Sequence, residues 1–529
     1  MPLAREPSRR AAAGGWTAAA LTIASGVLYG VSFPPLALRP LAWVALVPWL
    51  VAIRSGSARR AVLLGVLWAH VETFVTSDCL PGAVVNYYQQ SAAIGWLMLE
   101  GATLVTMVPW YGAFALAYRI LARAHPAFVP LTAAAAWCAC ELARVEVLGG
   151  NPWAISGYSQ VGVLPIMQIA DLAGVHGISF AIAATNAAVA ELWAARDAPG
   201  DRRAARRGAM SAAAVVALIL LYGSARLAWS GAETTATETK VAIIQGNVDF
   251  GAQWRDDLYG RNLDTYLRLT LDAVAQTKAH LVFWPESALT FFLADEPVYR
   301  AAMARVLSRI GAQVVTGGPR VERPHDAMEP TYFNATFLLS PGGEIVAWQD
   351  KTKLLPFAES FPLQSVALLR REFGRARQFS VGQDRPPLPT VAGAAGVLVC
   401  NEGMFGEIAS DRVRNGAEIL VNPANDSWFG SLKYSLQAFD IVRLRAVEQR
   451  RYLVRASTAG PSAIVDPWGR VAVASRPFVR EWISGTVRSR RGTTIYQAVG
   501  DLFAAACAGV AAVALALSAR QPQRPLGTR

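Results

Sequence analysis

Apolar residues crowd the two ends of this chain, in stretch after stretch over roughly the first 230 residues and once more over roughly the last 30. Runs close to the ~20 apolar residues needed to cross a bilayer core leave few options besides transmembrane helices. Candidates lie at about 16–33, 41–53, 61–76, 93–118, 126–148, 163–194 and 209–229, with a last one at about 498–518. Composition agrees: 53% of the 529 residues are hydrophobic and 17% charged, where a soluble chain has about a quarter charged. The middle of the chain has ordinary globular composition. The expected organisation is an N-terminal membrane domain of seven spans over 1–236, a soluble domain over 237–492, and a C-terminal span with a short tail over 493–529.

Basic residues orient these spans. Arg54, Arg59 and Arg60 follow the second stretch, Arg119 and Arg123 the fourth. Arg196, Arg202, Arg203, Arg206 and Arg207 follow the sixth, and Arg520, Arg524 and Arg529 the eighth. The loop after the third has neither Lys nor Arg, and the loop after the first has only Arg39. Cytoplasmic loops carry the Lys/Arg excess. The alternation therefore puts both termini in the cytoplasm and the soluble domain on the far side, the periplasm if the spans cross a bacterial inner membrane. The same arginines account for much of the net charge of +12, so nucleic acid is not expected as a partner. The basic start at Arg5, Arg9 and Arg10 before an apolar run also fits a signal peptide. Without a convincing small-residue cleavage site, and with further spans behind it, the run reads as a retained first helix.

Charged groups inside apolar stretches are costly, which marks His70, Glu72, Glu100, Glu141, Asp171 and His176. They show no regular relay spacing, so they are expected to face one another, line a cleft or sit near the interface. The five cysteines, Cys79, Cys138, Cys140, Cys400 and Cys507, have the spacing of neither a disulfide framework nor a zinc site.

From Thr239 the pattern changes to short strands alternating with amphipathic helices. Residues 240–244, 281–284 and 313–316 read as strands, and about 258–278 and 297–311 as helices. Residues 333–339 and 344–348 read as a hairpin around Ser340-Pro341-Gly342-Gly343, and a turn at Asp466-Pro467-Trp468-Gly469 joins two more strands. Hairpins mixed with strand–helix units imply an α-β-β-α sandwich.

Three polar residues each follow a strand: Glu286, Lys351, and Cys400, which ends the apolar run in Gly396-Val397-Leu398-Val399-Cys400-Asn401-Glu402. Each alone reads as ordinary: a solvated loop Glu, a surface Lys, a buried Cys. Together they form a working set. A Glu can act as general base toward a thiol, and a Lys ammonium lowers a thiol pKa and stabilises an oxyanion. That combination suits acyl transfer through a thioester and needs no His.

With their flanks, Trp284-Pro285-Glu286-Ser287, Lys351 ahead of Leu354-Leu355-Pro356-Phe357-Ala358-Glu359, and Cys400-Asn401-Glu402, these residues resemble the Glu-Lys-Cys motifs of the nitrilase, or carbon–nitrogen hydrolase, superfamily. The eight-span frame, Pro356-Phe357-Ala358-Glu359-Ser360-Phe361-Pro362 and Asn425-Asp426-Ser427-Trp428-Phe429-Gly430 extend the resemblance along the chain to a membrane-bound branch, the apolipoprotein N-acyltransferase family. The resemblance implies a polytopic α-helical membrane domain of about eight spans plus a nitrilase-like α/β sandwich. It implies a ping-pong reaction with a phospholipid as acyl donor and a diacylglyceryl-modified apolipoprotein as acceptor, the last step of lipoprotein maturation. Carried over by motif, Glu286 is the general base, Lys351 the stabiliser of thiolate and oxyanion, and Cys400 the nucleophile. Lys351 is preferred to Lys353 because its eight-residue step to Glu359 fits the motif. Glu359 and Glu402 would support the site, and Trp254, Asn425 and Trp428 would lie near substrate. No cofactor or metal is implied, and nothing calls for more than a monomer. The pattern departs from the family at Asn401, where an aromatic residue is usual, and at Ala358, where Gly is.

A lipid substrate also explains the architecture, since drawing acyl chains into water costs about 0.8 kcal/mol per methylene. Residues 353–371, rich in Leu and Phe, admit two readings: a lid dipping into the interface, or part of the domain interior. Two rival functions share parts of the pattern. A membrane-anchored amidase acting on a small amide would use the same triad with water as acceptor, in a closed polar pocket. A non-catalytic lipid-binding or transport protein would not need Glu286, Lys351 and Cys400 intact.

Overall fold

The computed structural model describes residues 7–147, 150–196, 198–231, 238–248, 255–323, 329–360 and 379–521. The chain forms two compact units, one of Met1–Asp78, Trp96–Ala228 and Val499–Arg529, the other of Cys79–Gly95 and Trp229–Ala498. Residues 79–95, expected within the N-terminal domain of 1–236 and mostly in the loop between its third and fourth apolar stretches, group with the second unit.

The first unit is helical, with Pro7–Gly30, Ala58–Ser77, Val108–Leu121, Val129–Glu146, Ala170–Ala194, Arg202–Ala228 and Leu502–Ala519 as its longer elements. Among the described residues three helices are long and apolar enough to cross a membrane, or up to five if each of two bent pairs counts as one. The stretch expected at 41–53 forms a 3-10 turn at Arg39–Trp43 and the helix Val47–Arg54, the latter about 12 Å long at 1.5 Å per residue. Aromatic rings fill the interior: Trp49 stacks on Trp68 with centroids 4.8 Å apart, and Trp137 meets Trp68 edge-on at 5.8 Å. Small residues let backbones approach, as membrane helices favour. A Cβ at Gly223 would lie 1.8 Å from the Pro165 carbonyl oxygen. Of the six polar residues marked within the apolar stretches, four pair with one another. His70 Nε2 lies 2.8 Å from Glu100 Oε1, and His176 Nδ1 lies 3.7 Å from Glu141 Oε2. Asp171 takes the Tyr222 hydroxyl at 2.7 Å and pairs with Arg226 at 3.3 Å, while Glu72 accepts from Thr73 and Thr76.

The second unit contains two six-stranded sheets. Its strands are β1 Glu238–Gln245, β2 Leu281–Phe283, β3 Gln313–Glu322, β4 Thr331–Leu339, β5 Ile345–Asp350, β6 Leu388–Thr390, β7 Gly393–Val397, β8 Ile419–Ala424, β9 Leu453–Ser457, β10 Ala463–Val465, β11 Val471–Ala474 and β12 Glu481–Arg488. One sheet has the order β12-β1-β2-β3-β4-β5 and the other β11-β10-β9-β8-β7-β6. In each, central parallel pairs (β1, β2 and β3; β7, β8 and β9) are flanked by antiparallel ones. The expected hairpin is β4–β5, with Phe337 opposite Trp348.

Alternation along the strands builds the layers, because successive side chains point to opposite faces. Val241 and Ile243, Leu281 and Phe283, and Val315 point into a core shared with Val397, Ile419, Val421 and Val454 of the other sheet. Their neighbours Ala242, Ile244, Val282 and Val314 pack instead on the helix Tyr259–Thr277, through Leu263, Tyr266, Leu267 and Val274, and on Pro297–Ile310, through Met303 and Leu307. Helices Gly406–Arg414 and Leu432–Gln449 pack against the second sheet. The result is the α-β-β-α arrangement expected from the hairpins and strand–helix units.

Candidate active site

The three strand-end residues converge. Glu286 lies three residues past β2, Lys351 directly follows β5, and Cys400 lies three residues past β7 in the opposing sheet. All three are buried and line one cavity of about 260 Å³. A strand end is a natural place for them, since the ladder holds the backbone up to the last pair and the turn beyond is free to aim its side chains.

Each turn is held by its own set of contacts. The Glu286 turn lies so close to β3 that a Cβ at Gly317 would sit 2.7 Å from the Glu286 Cα, so this position accepts only glycine without a backbone shift. The Lys351 backbone is tied to the hairpin, donating to the Asn334 carbonyl at 2.8 Å and accepting from Gly382 N–H at 2.8 Å. Cys400 has a left-handed φ of 50° and opens the 3-10 turn Cys400–Met404. A side chain at positive φ is strained and must be held by its surroundings. Asn422 on β8 does so, donating from Nδ2 to the Cys400 and Leu398 carbonyls at 3.1 and 2.5 Å. Arg455 on β9 in turn donates to Asn422 Oδ1 and, at 2.8 Å, to Asp426 Oδ2.

Charge inside the cavity is shared unequally. Lys351 Nζ lies 2.7 Å from Glu359 Oε2 and 3.6 Å from Glu286 Oε1. Asn334 joins the two carboxylates, donating from Nδ2 to Glu286 Oε1 at 2.8 Å and to Glu359 Oε1 at 2.7 Å. Glu359 Oε2 also accepts the Leu355 N–H at 2.8 Å. Burial disfavours the Lys351 cation, but the carboxylates of Glu359 and Glu286 outweigh that and hold the ammonium firmly charged. Burial pushes the Glu286 carboxyl above its ordinary range, with Lys351 opposing and Glu359 adding to the rise. The Cys400 thiol is pushed well up, by burial and then by Glu286, while Lys351 and the Asn425 backbone N–H pull it down. Burial and Glu286 thus both favour the thiol form of Cys400, which hydrogen-bonds to Glu286, and Lys351 by itself does not offset them. A carboxylate and a thiol so placed have the chemistry for general-base transfer to accompany attack by the sulfur.

Glu359, Asn425 and Trp428 line the same cavity. Glu402 does not: it is wholly buried behind the cysteine. Its Oε1 accepts from Thr352 N–H and Oγ1, both at 2.7 Å, and from Lys353 N–H at 3.1 Å; its Oε2 accepts from Val399 N–H at 2.7 Å. It therefore clamps the turn after Lys351 to the approach to Cys400. Trp254 and residues 361–371 of the proposed lid lie outside the described residues. Of the departures from the motif, Asn401 is buried and donates to the Lys353 carbonyl at 3.3 Å. The strained conformation in its neighbouring motif falls on Phe357, φ 67°, and not on Ala358. Among the described residues no three His, Cys, Asp or Glu side chains converge as metal ligands. Sequence reasoning missed Asn334, Asn422 and Tyr87, which also lines the cavity. For Asn422 a signal existed: an amide interrupting the otherwise apolar strand Ile419–Ala424.

Two families match the chain: Carbon-nitrogen hydrolase over residues 240–496, and Apolipoprotein N-acyltransferase N-terminal domain over residues 25–188. An apolipoprotein N-acyltransferase of Geobacter metallireducens is 33% identical over 520 residues, 95% of each chain. Another, of Azotobacter vinelandii, is 29% identical over 91% of each. Among solved structures, the C. elegans NitFhit protein has a TM-score of 0.38 at 20% identity, covering 48% of this chain and 61% of its own. A mutant amidase of Nesterenkonia from the nitrilase superfamily has 0.37 at 18%, covering 47% and 90%.

Proposed function

The chain belongs to the apolipoprotein N-acyltransferase family, and on that premise we propose that it moves a fatty acyl chain from a phospholipid to the N-terminal amine of diacylglyceryl-modified apolipoproteins through a thioester on Cys400. The observation that carries this reading is a buried Glu286, Lys351 and Cys400 set lining one cavity whose walls include Leu355, Phe379 and Trp428. Cys400 Sγ attacks the ester carbonyl as its proton passes to Glu286. The carbonyl oxygen gathers negative charge beside the Lys351 ammonium. The tetrahedral adduct then breaks its C–O bond, and the departing lysophospholipid takes the proton from Glu286. In the second half the acceptor amine attacks the thioester and gives a proton to Glu286. The C–S bond breaks, and the sulfur leaves and regains that proton. Glu359 holds Lys351 in place throughout, and no cofactor enters the scheme.

Intact-mass analysis of protein incubated with phospholipid tests this. The expected result is a hydroxylamine-labile adduct of fatty-acyl mass, absent in Cys400→Ala and discharged by an acceptor lipopeptide. No adduct under turnover conditions, with hydrolysis of small amides instead, would favour the amidase.

The topology proposed with this function has eight spans, both termini in the cytoplasm and residues 237–492 in the periplasm, acting as a monomer in the inner membrane. The alternation of arginine-rich and arginine-free loops supports it. Reporter fusions should show the C-terminus in the cytoplasm and residue 230 in the periplasm. The reverse pattern would overturn this topology.

A further inference from the structure

The helix Leu80–Tyr88 ends in two adjacent tyrosines whose hydroxyls reach two consecutive carbonyls of the Glu359 turn. Tyr87 Oη donates to the Ala358 carbonyl at 2.9 Å, and Tyr88 Oη to that of Phe357. The same segment grips a second loop at the cavity edge. Asn86 Nδ2 donates to the Trp428 carbonyl at 3.2 Å, and the Tyr87 ring lies 5.5 Å from that of Trp428. All of these residues belong to the second unit, although in chain order the segment comes between helices of the first.

We propose that Tyr87 and Tyr88 are positioning residues for acyl transfer, holding the turn before Glu359 so that its carboxylate keeps Lys351 drawn away from Glu286. The inference rests on the acyl-transfer reading of the site. The turn needs a holder, because Phe357 is left-handed, a conformation that bulky side chains disfavour. From inside, the turn is closed by Phe357 N–H to the Ser360 carbonyl at 2.7 Å and Glu359 N–H to the Leu355 carbonyl at 2.9 Å. From outside, the two phenols engage the carbonyls that these bonds leave over. The position matters because Lys351 is divided between 2.7 Å to Glu359 and 3.6 Å to Glu286. If the turn relaxes, Glu359 recedes and the ammonium moves toward Glu286. The groups facing Glu286 are Lys351, Glu359, Cys400 and Asn334. A nearer cation and a more distant carboxylate both make Glu286 a weaker base, so it takes the thiol proton less readily.

The test is Tyr87→Phe, Tyr88→Phe and the double variant in the full-length protein, which keep the rings and remove the donors. Single-turnover acylation of Cys400 by phospholipid should slow about tenfold or more in the double variant at neutral pH. The acid limb of its pH–rate profile should move to lower pH, with KM for phospholipid unchanged. Amide hydrogen exchange at residues 355–360 should speed up whether or not the protein is active. A wild-type rate and acid limb would overturn the proposal. So would a change in KM alone, which would mean that the tyrosines only shape the lipid entrance. If the unmodified protein forms no acyl-enzyme, the acyl-transfer reading fails on its own account. The brace is then judged by hydrogen exchange, and unchanged exchange in the double variant overturns it.

Discussion

Glu286→Gln is expected to slow acylation of Cys400 by about 10²–10⁴-fold while leaving the unit folded. Glutamine keeps the shape, and its oxygen still accepts the Asn334 amide that Glu286 Oε1 accepts at 2.8 Å. Lys351 retains its closer partner, Glu359 at 2.7 Å. What is lost is the group placed to take the thiol proton, from a thiol that burial and Glu286 push well above its usual pKa. The pH profile carries the stronger test. Burial raises the Glu286 pKa, Lys351 opposes, Glu359 adds, and the outcome is a carboxyl titrating above the ~4.3 of a free Glu. Its basic form therefore accumulates only as pH rises through that elevated value. Acylation in the unmodified protein should climb with pH to a plateau reached later than an ordinary carboxylate would allow. In Glu286→Gln the limb should vanish along with most of the rate. Single-turnover acylation followed against pH reads both, and a limb that survives the substitution would remove Glu286 from the role of base.

The second large effect is structural. Glu402→Gln should destabilise the second unit by at least about 1.5–3 kcal/mol, the value of one lost hydrogen bond to a charged group. The argument is one of donors. Thr352 N–H, Thr352 Oγ1 and Lys353 N–H point at one oxygen of Glu402 and Val399 N–H at the other. A carboxylate accepts all four. An amide has only one oxygen, so whichever way it turns, its NH₂ faces at least one buried donor. Arg412 Nη2, 4.0 Å from Oε1, would also lose its anionic neighbour. Thermal unfolding in detergent should show a clear loss, and Cys400 acylation should fall with it, because the clamp joins the turns that carry Lys351 and Cys400. An unshifted melting temperature would mean that the clamp contributes little and that Glu402 matters for another reason.

These two carboxylates were both visible in the sequence, each beside a strand end, and the motif made one the base and the other a support; how Glu402 gives that support came only from the structure. Glu286 faces the cavity, whereas Glu402 is turned into the protein, a difference that spacing along the chain cannot express. Lys351 shows the same limit. Its place after a strand was legible, but its division between Glu359 and Glu286 depends on a loop that approaches from elsewhere. Secondary structure fared better. The helix at 259–277 and the hairpin at 331–350 carry their signals within a few residues, as an apolar stripe and a Pro-Gly turn.

From the sequence alone came the alternation of arginine-rich loops, the layers of the sandwich, and the motifs around Glu286, Lys351 and Cys400. These are local or periodic patterns, written into neighbouring residues by the geometry of helix, strand and bilayer. The tertiary structure decided which distant groups meet. Asn334 bridges to Glu286 from 48 residues away, Arg455 reaches Asn422 across 33, and Tyr87 reaches Ala358 across 271. A polar side chain satisfies its hydrogen bonds with whatever folding brings within about 3 Å. The identity of that partner is a property of the packed chain and leaves no mark at the donor's own position.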